Sequence, residues 1–194
     1  MQDTIDILVA LAGDLLSGDD AIRADRLAVA AGAGDAGAAQ AALDLARLVG
    51  EAADPAGTIA ALDRYPPVDA FSHVACLVVA CFAVVRADFT ARQDAQAARS
   101  RMSARADLAY SVAGEFGADV VDWLVGLAGA AVEHLSAVAA RRAPVVRVET
   151  GISLPSTLLA FDLYGDASRA DELVDRNGVS TPLVMPTQFE AVTQ

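Results

Sequence analysis

Hydrophobic positions recur every three to four residues through most of this chain, and past Pro144 they begin to alternate. The first pattern predicts helices, the second a strand. Ile5, Leu8, Ala12, Leu15 and Leu16 mark a first helix, with Asp3 or Thr4 as its cap and Gly18 as its stop. Asp19-Asp20 cap a second, over about Ala21 to Ala31. A third runs from about Ala36 to Val49 and carries Leu43, Leu45, Leu48 and Val49. Gly50 to Gly57 reads as a loop, Thr58 to Arg64 as a short helix, and Pro66-Pro67 as a break. Asp69 then caps an apolar helix that begins near Ala70. Arg86 to Arg105 is poor in bulky residues, and Met102, Ala106, Ala109, Ala113 and Phe116 continue a thin stripe, so a long, partly exposed helix ending near Gly117 is expected. Asp119 opens the last long helix, with Val120, Trp123, Leu124, Leu127, Ala131, Leu135 and Val138 along it. Arg141 and Arg142 close it, where positive charge complements the helix dipole.

Val145 to Glu149 is β-branched and alternating, which predicts a strand. Ser156 or Thr157 caps a helix that carries Leu158, Leu159, Phe161, Leu163 and Tyr164 and stops at Gly165-Asp166. Ser168, three residues before Asp171, looks like a capping-box start for a second helix. Asn177-Gly178 ends it, because both residues tolerate the left-handed conformation. Pro182 and Pro186 bracket Leu183, Val184 and Met185, and Phe189 to Val192 forms a last strand. The expected fold is mainly α: a helical domain over 1–143, then a small α+β domain of strand, helix, helix, strand over 144–194.

Composition adds to this picture. Hydrophobic residues make up 55% of the 194, aromatics only 5%, and alanine, the best helix former, is abundant. Such helices pack closely but bury little area each, so assembly with neighbours is expected. The net charge is -12 and all fourteen basic residues are arginine. An acidic chain is a poor general binder of phosphate backbones, so direct nucleic-acid binding is not expected. The N-terminus opens with Asp3 and Asp6 and has no basic leader, so no signal peptide is expected. The longest uncharged apolar stretch, Ala70 to Val85, is short of the roughly twenty residues a membrane span needs. A buried core helix is the reading adopted, with a mean hydropathy of +0.40 leaving a membrane-proximal alternative. Cys76 and Cys81 point in different directions on that helix and read as core thiols in a cytosolic setting, not a disulfide.

The C-terminal order resembles a LysM domain. The residues that carry the resemblance are Val146-Arg147-Val148, Leu163-Tyr164-Gly165-Asp166, Ala170-Asp171-Glu172-Leu173, Arg176-Asn177-Gly178-Val179 and Pro186-Thr187-Gln188-Phe189-Glu190-Ala191-Val192. Thr187 stands where the family has glycine, and Gly151-Ile152-Ser153-Leu154 where it has Gly-Asp-Thr-Leu. Both departures fall where that family builds its glycan groove. More widely, Pro155, Leu159-Ala160, Leu163 to Ala167, Arg169 to Glu172 and Arg176-Asn177 resemble the C-terminal part of the DNA circularization proteins of Mu-like phages. That resemblance implies a non-enzymatic structural protein of the virion tail, near the distal tube and baseplate hub. Its implied partners are other tail proteins (hub, tube, tape measure), in a symmetric multimer. No cofactor or membrane span is implied.

Several signals have plainer readings. Gly32-Ala33-Gly34-Asp35-Ala36-Gly37 matches a dinucleotide-loop pattern, but a helix leads into it, so a helix-to-helix turn is expected. His73 and His134 have no partner at metal-ligand spacing, and no nucleophile motif accompanies the serines. The acid pairs at 19–20, 119 and 122, and 171–172 read as caps and solvated faces. Trp123 reads as core, with an interface role second. Arg86, Arg92, Arg99, Arg101 and Arg105 form a local basic cluster, interleaved with Asp88, Asp94 and Asp107, that reads first as a solvated face. Its functional reading is a docking strip for an acidic neighbour, with the lining of a DNA channel third. Tyr164, Asp171 and Asn177 join these as interface candidates. The alternative function is a peptidoglycan-binding adaptor, its groove formed by Gly151, Ile152, Ser153, Leu154, Val184 and Thr187. A small helical enzyme stands third, with no constellation to support it.

Overall fold

The structure, a computed structural model, describes residues 1–193. It is mainly helical, with one two-stranded antiparallel sheet among the described residues. The helices are α1 (Gln2–Leu15), α2 (Asp19–Gly32), α3 (Ala38–Gly50), α4 (Pro55–Arg64), α5 (Ala70–Val84), α6 (Arg92–Ala113), α7 (Ala118–Arg141), α8 (Ser156–Tyr164) and α9 (Ala170–Asn177). The strands are β1 (Val145–Glu149) and β2 (Gln188–Val192). Two compact units divide the chain. One is Met1–Asp88 with Ala95–Val138; the other is Phe89–Asp94 with the chain from Ala139 onward.

In the first unit α5 is buried nearly all round, and α1, α3 and α4 pack on it. A helix with no polar face must sit at the centre of a bundle, which is the role expected for the apolar stretch at Ala70. Its start is fixed by a capping box: Asp69 accepts from the Ser72 backbone amide at 2.6 Å, and the Ser72 hydroxyl receives the Asp69 amide at 2.8 Å. Asp54 caps α4 by a single bond, accepting from the Gly57 amide at 2.9 Å, with Pro55 at the first helical position. Gly50, the last residue of α3, lies tight against α5. A Cβ there would lie 2.7 Å from the Cβ of Phe82 and 2.8 Å from the carbonyl oxygen of Val79. The long helix α7 buries Leu124, Ala128, Ala131, Leu135 and Ala139, one stripe at helical spacing. It is the one described helix long and apolar enough to cross a membrane, yet Asp122, Glu133 and His134 lie exposed on it. That arrangement is amphipathic, as in a bundle helix at a surface.

Several caps differ from expectation. Asp3 and Thr4 lie inside the first turn of α1, and Thr4 is fully buried because its hydroxyl donates to Asp69 at 2.9 Å. Asp19 and Asp20 likewise begin α2 without capping it. The expected helix from Arg86 starts later, at Arg92, after a turn. The Gly32 to Gly37 motif is a helix-to-helix turn between α2 and α3, and no strand precedes it among the described residues.

The second unit runs strand, helix, helix, strand from β1 to β2. Register pairs Val145 with Val192, Arg147 with Glu190 and Glu149 with Gln188. Its core is compact: Leu159, Tyr164, Leu173, Met185 and Phe189 are buried together, with Val148, Leu154 and Val174 packed against them. Gly165 and Gly178, at φ 68° and 59°, turn the chain out of α8 and α9. Ser156 does not cap α8; Pro155 precedes it without a side-chain bond, and Ser156 is buried. Nor does Ser168 cap α9. Asp166 accepts from the amide and hydroxyl of Ser168 and so starts a short 3-10 turn, Ala167–Arg169, that leads into the helix.

Candidate interaction surfaces

The two turns expected to line a groove come together at one end of the second unit. The Thr150 amide donates to the Thr187 carbonyl at 2.7 Å, the Met185 amide to the Leu154 carbonyl at 3.0 Å, and the Ser156 amide to the Pro182 carbonyl at 2.7 Å. These bonds lay residues 150–156 beside 182–187. Met185 and Leu154 turn inward onto the core, and Gly151, Ser153 and Thr187 are exposed. Ile152, Leu183 and Val184 are pushed into water, at 65%, 70% and 58% exposure. These three exposed aliphatic side chains lie on turns that the backbone bonds hold side by side. The polar groups here are hydroxyls, with Thr150 already donating to the Ile152 carbonyl at 2.9 Å.

Tyr164, Asp171 and Asn177 do not share a surface. Tyr164 is a core residue, and the Arg169 guanidinium lies 3.7 Å from its ring centre. Burial raises the phenol above its ordinary value, and the carboxylate of Glu172 adds to that. Asn177 is a clamp. Its carboxamide receives the Glu190 amide at 2.7 Å and donates to the Glu190 carbonyl at 2.9 Å, as a neighbouring strand would. Only Asp171, on the first turn of α9, is freely exposed.

The opposite strand has a matching clamp that sequence reading missed. Gln93 receives the Val145 amide at 2.8 Å and donates to the Val145 carbonyl at 3.1 Å. Its neighbours also belong to the second unit: the Arg92 amide donates to the Ala143 carbonyl at 2.9 Å, and Asp94 accepts from Arg176 at 2.9 Å. The Arg176 bond holds the Asp94 carboxyl below its usual range, and Asp94 in turn raises the Arg176 guanidinium. Phe89–Asp94 is thus a strap closing a ribbon that begins fifty residues later. Carboxamide spacing carries no hint of this, because the partners are far apart in sequence.

The five arginines are dispersed. Arg86, in the turn after α5, donates to the Ala52 carbonyl at 2.9 Å. Arg92 belongs to the strap and reaches the Arg142 carbonyl at 3.3 Å. Arg99 reaches the Ser136 hydroxyl at 3.5 Å, and Arg105 pairs with Asp63 at 2.6 Å. Spacing explains the split: positions 101 and 105 lie one turn apart on α6, with 99 on another face. Arg101 is exposed at the rim of a cavity of about 300 Å³ that Arg105 and His73 also line.

Cys76 and Cys81 are free and buried, and burial pushes their thiols up to about 11 and about 12. A thiol so raised stays protonated and inert. Among the described residues no group of three or more His, Cys, Asp or Glu side chains is placed to hold a metal ion. Trp123, read from periodicity as core, is 43% exposed. No protein-family model matches the chain, and its comparison with curated proteins gives no match.

Proposed function

We propose that the chain is a non-enzymatic structural protein of a phage or phage-like tail, acting at the distal tube and baseplate hub by docking neighbouring tail subunits. The observation that carries this reading is the agreement between the specific sequence run and its structural use. In Leu163 to Asp166, Tyr164 fills the core, Gly165 makes the left-handed turn and Asp166 starts the next helical turn. In Arg176 to Gly178, Arg176 anchors the strap, Asn177 clamps β2 and Gly178 ends α9. Residues shared with the DNA circularization proteins are therefore those that build the unit, which supports a LysM-like strand-helix-helix-strand module. The exposed Ile152, Leu183 and Val184 give this unit apolar side chains through which it would dock. Copies would be arranged in a closed ring, as tail symmetry requires. Cryo-electron microscopy of purified parent particles tests the proposal: density for this chain at the baseplate end is expected, and its absence from intact particles overturns it.

A second reading has one observation in its favour. The turns at 151–154 and 184–188, which a LysM domain uses for glycans, lie side by side with Gly151, Ile152, Ser153, Val184 and Thr187 open to water. A peptidoglycan-binding adaptor would be retained on purified cell-wall sacculi. Retention that is lost on Ile152→Ser/Val184→Ser supports that alternative, and no retention removes it.

A further inference from the structure

The chain has one tryptophan, and it is not in the core. Trp123 lines a cleft of about 450 Å³ within the first unit, between α3, α5 and α7. Helical spacing builds its walls: 40, 43, 44 and 47 share a face of α3, 78 and 82 a face of α5, and 119, 120 and 123 a face of α7. The apolar lining is Leu43, Val78, Phe82 and Val120 beside the indole.

Charge at the rim has one sign left over. Arg47 lies 5.5 Å from the Phe82 ring centre and is held by Glu51 at 2.9 Å, so its charge is answered. Asp44 accepts from the Gln40 carboxamide at 3.2 Å and lies within electrostatic reach of Arg47, so that one guanidinium answers to both Glu51 and Asp44. Asp119 has no ion-pair partner among the described residues. Two carboxylates thus face an exposed indole and an apolar floor, on a chain of net charge -12.

We infer that this cleft is a docking site for a protein segment that presents a basic side chain flanked by apolar ones. The cation lies on the face of Trp123 between Asp44 and Asp119, and the apolar neighbours fill the floor. Tryptophan gives the strongest cation–π attraction, and exposed tryptophans in clefts are the usual anchors of protein interfaces. Amphipathic helices dock in grooves of this kind, and opposite rim charge selects the partner and steers its approach. The inference stands on the cleft alone and does not depend on the tail reading.

The single tryptophan makes the test direct. The full chain is titrated with a helical peptide of leucine, alanine and arginine, and with the same peptide carrying glutamate for arginine, while Trp123 emission is followed. The basic peptide is expected to shift the emission and the acidic one to leave it unchanged. Asp44→Asn/Asp119→Asn is expected to weaken the basic peptide at least tenfold, and so is Trp123→Phe when a labelled peptide is used. Asp19→Asn/Asp20→Asn on α2 removes the same charge elsewhere and is expected to keep the affinity. Equal losses in the two charge variants mean bulk attraction to an acidic protein and overturn the inference. So does an emission unmoved by the basic peptide, or a response to both peptides.

Discussion

The two units solve the same problem with different materials. The first is built from many small residues. α6 buries Ala95, Ala98, Ala106, Ala109 and Ala113, with Met102 as its one large core side chain. Such helices gain stability only by approaching closely, which is why Gly50 has no room for a Cβ. The second unit has a small core of large residues, Leu159, Tyr164, Leu173, Met185 and Phe189. It is held in shape by single side chains with fixed tasks: Asp166, Asn177, Gln93 and Arg176. In the first, stability is spread over composition. In the second it is concentrated in positions, and the difference predicts where each breaks.

The largest effect is expected at Leu173, which is fully buried in the smaller core. Leu173→Ala should cost about 2–5 kcal/mol, since few neighbours can close the cavity. Amide hydrogen exchange resolves the outcome: α8, α9 and the ribbon lose protection while α3 and α5 keep theirs. Equal loss in both units would mean that they unfold as one and that the contrast between them is false.

Gly50→Ala probes the first unit from the opposite side. Adding one methyl where Phe82 and Val79 already stand at 2.7 and 2.8 Å should cost about 1–3 kcal/mol through overpacking. Urea unfolding reads it, and an unchanged midpoint would show that α3 and α5 separate without penalty.

Asp94→Ala tests the strap. Arg176 is mostly buried and would lose the carboxylate that receives it. The expected cost is about 1–2 kcal/mol, at the low end for an unpaired charge because Asp94 itself keeps contact with water. For the same reason a fragment beginning at Pro144, which lacks Gln93 and Asp94, should melt below the second unit of the full chain.

These contrasts also explain what was legible in the sequence. Elements set by local rules were: β1 by its alternation, α5 by its apolar run, and the ends of α8 and α9 by Gly165 and Asn177-Gly178. The cap at Asp69 was legible from local spacing, whereas those expected at Asp3 or Thr4, at Asp19-Asp20 and at Ser168 were not, because these residues lie inside a helical turn or serve another group. The Thr4 hydroxyl serves Asp69 rather than its own helix, and Asp166 does what Ser168 was expected to do. The strap was invisible because Gln93 and Asp94 look like any polar helix surface, while their partners lie beyond residue 140. Trp123 fell to the same limit: periodicity names a face of α7, and only the packing of α3 and α5 decides that this face opens on a cleft.

The smallest expected effect isolates charge from shape at the best-read cap. Burial works against ionisation of Asp69. The backbone amide of Ser72, the terminal ammonium, and the hydroxyls of Thr4 and Ser72 outweigh it, and hold the carboxyl at about 2 against an ordinary 3.8. The folded chain therefore takes up this proton less readily than the unfolded one. The resulting stability is fully present above about pH 4, and it drains away as pH falls from there toward about 2. Asparagine is as good a cap as aspartate, so Asp69→Asn keeps the oxygen that receives the Ser72 amide and the Thr4 hydroxyl, while it removes the charge and the oxygen that receives the terminal ammonium. At neutral pH the variant should be weaker by about 0.3–1 kcal/mol, the value of a negative charge at a helix start. Near pH 2.5 most of that gap should have closed, because the wild-type carboxyl is then partly protonated in the folded chain and nearly fully so in the unfolded one. A gap of equal size at both pH values would show that the carboxylate charge is not its source. No gap at either would place the cap's worth in its hydrogen-bond geometry alone, and would make this corner of the first unit as dependent on one shape as the clamps of the second.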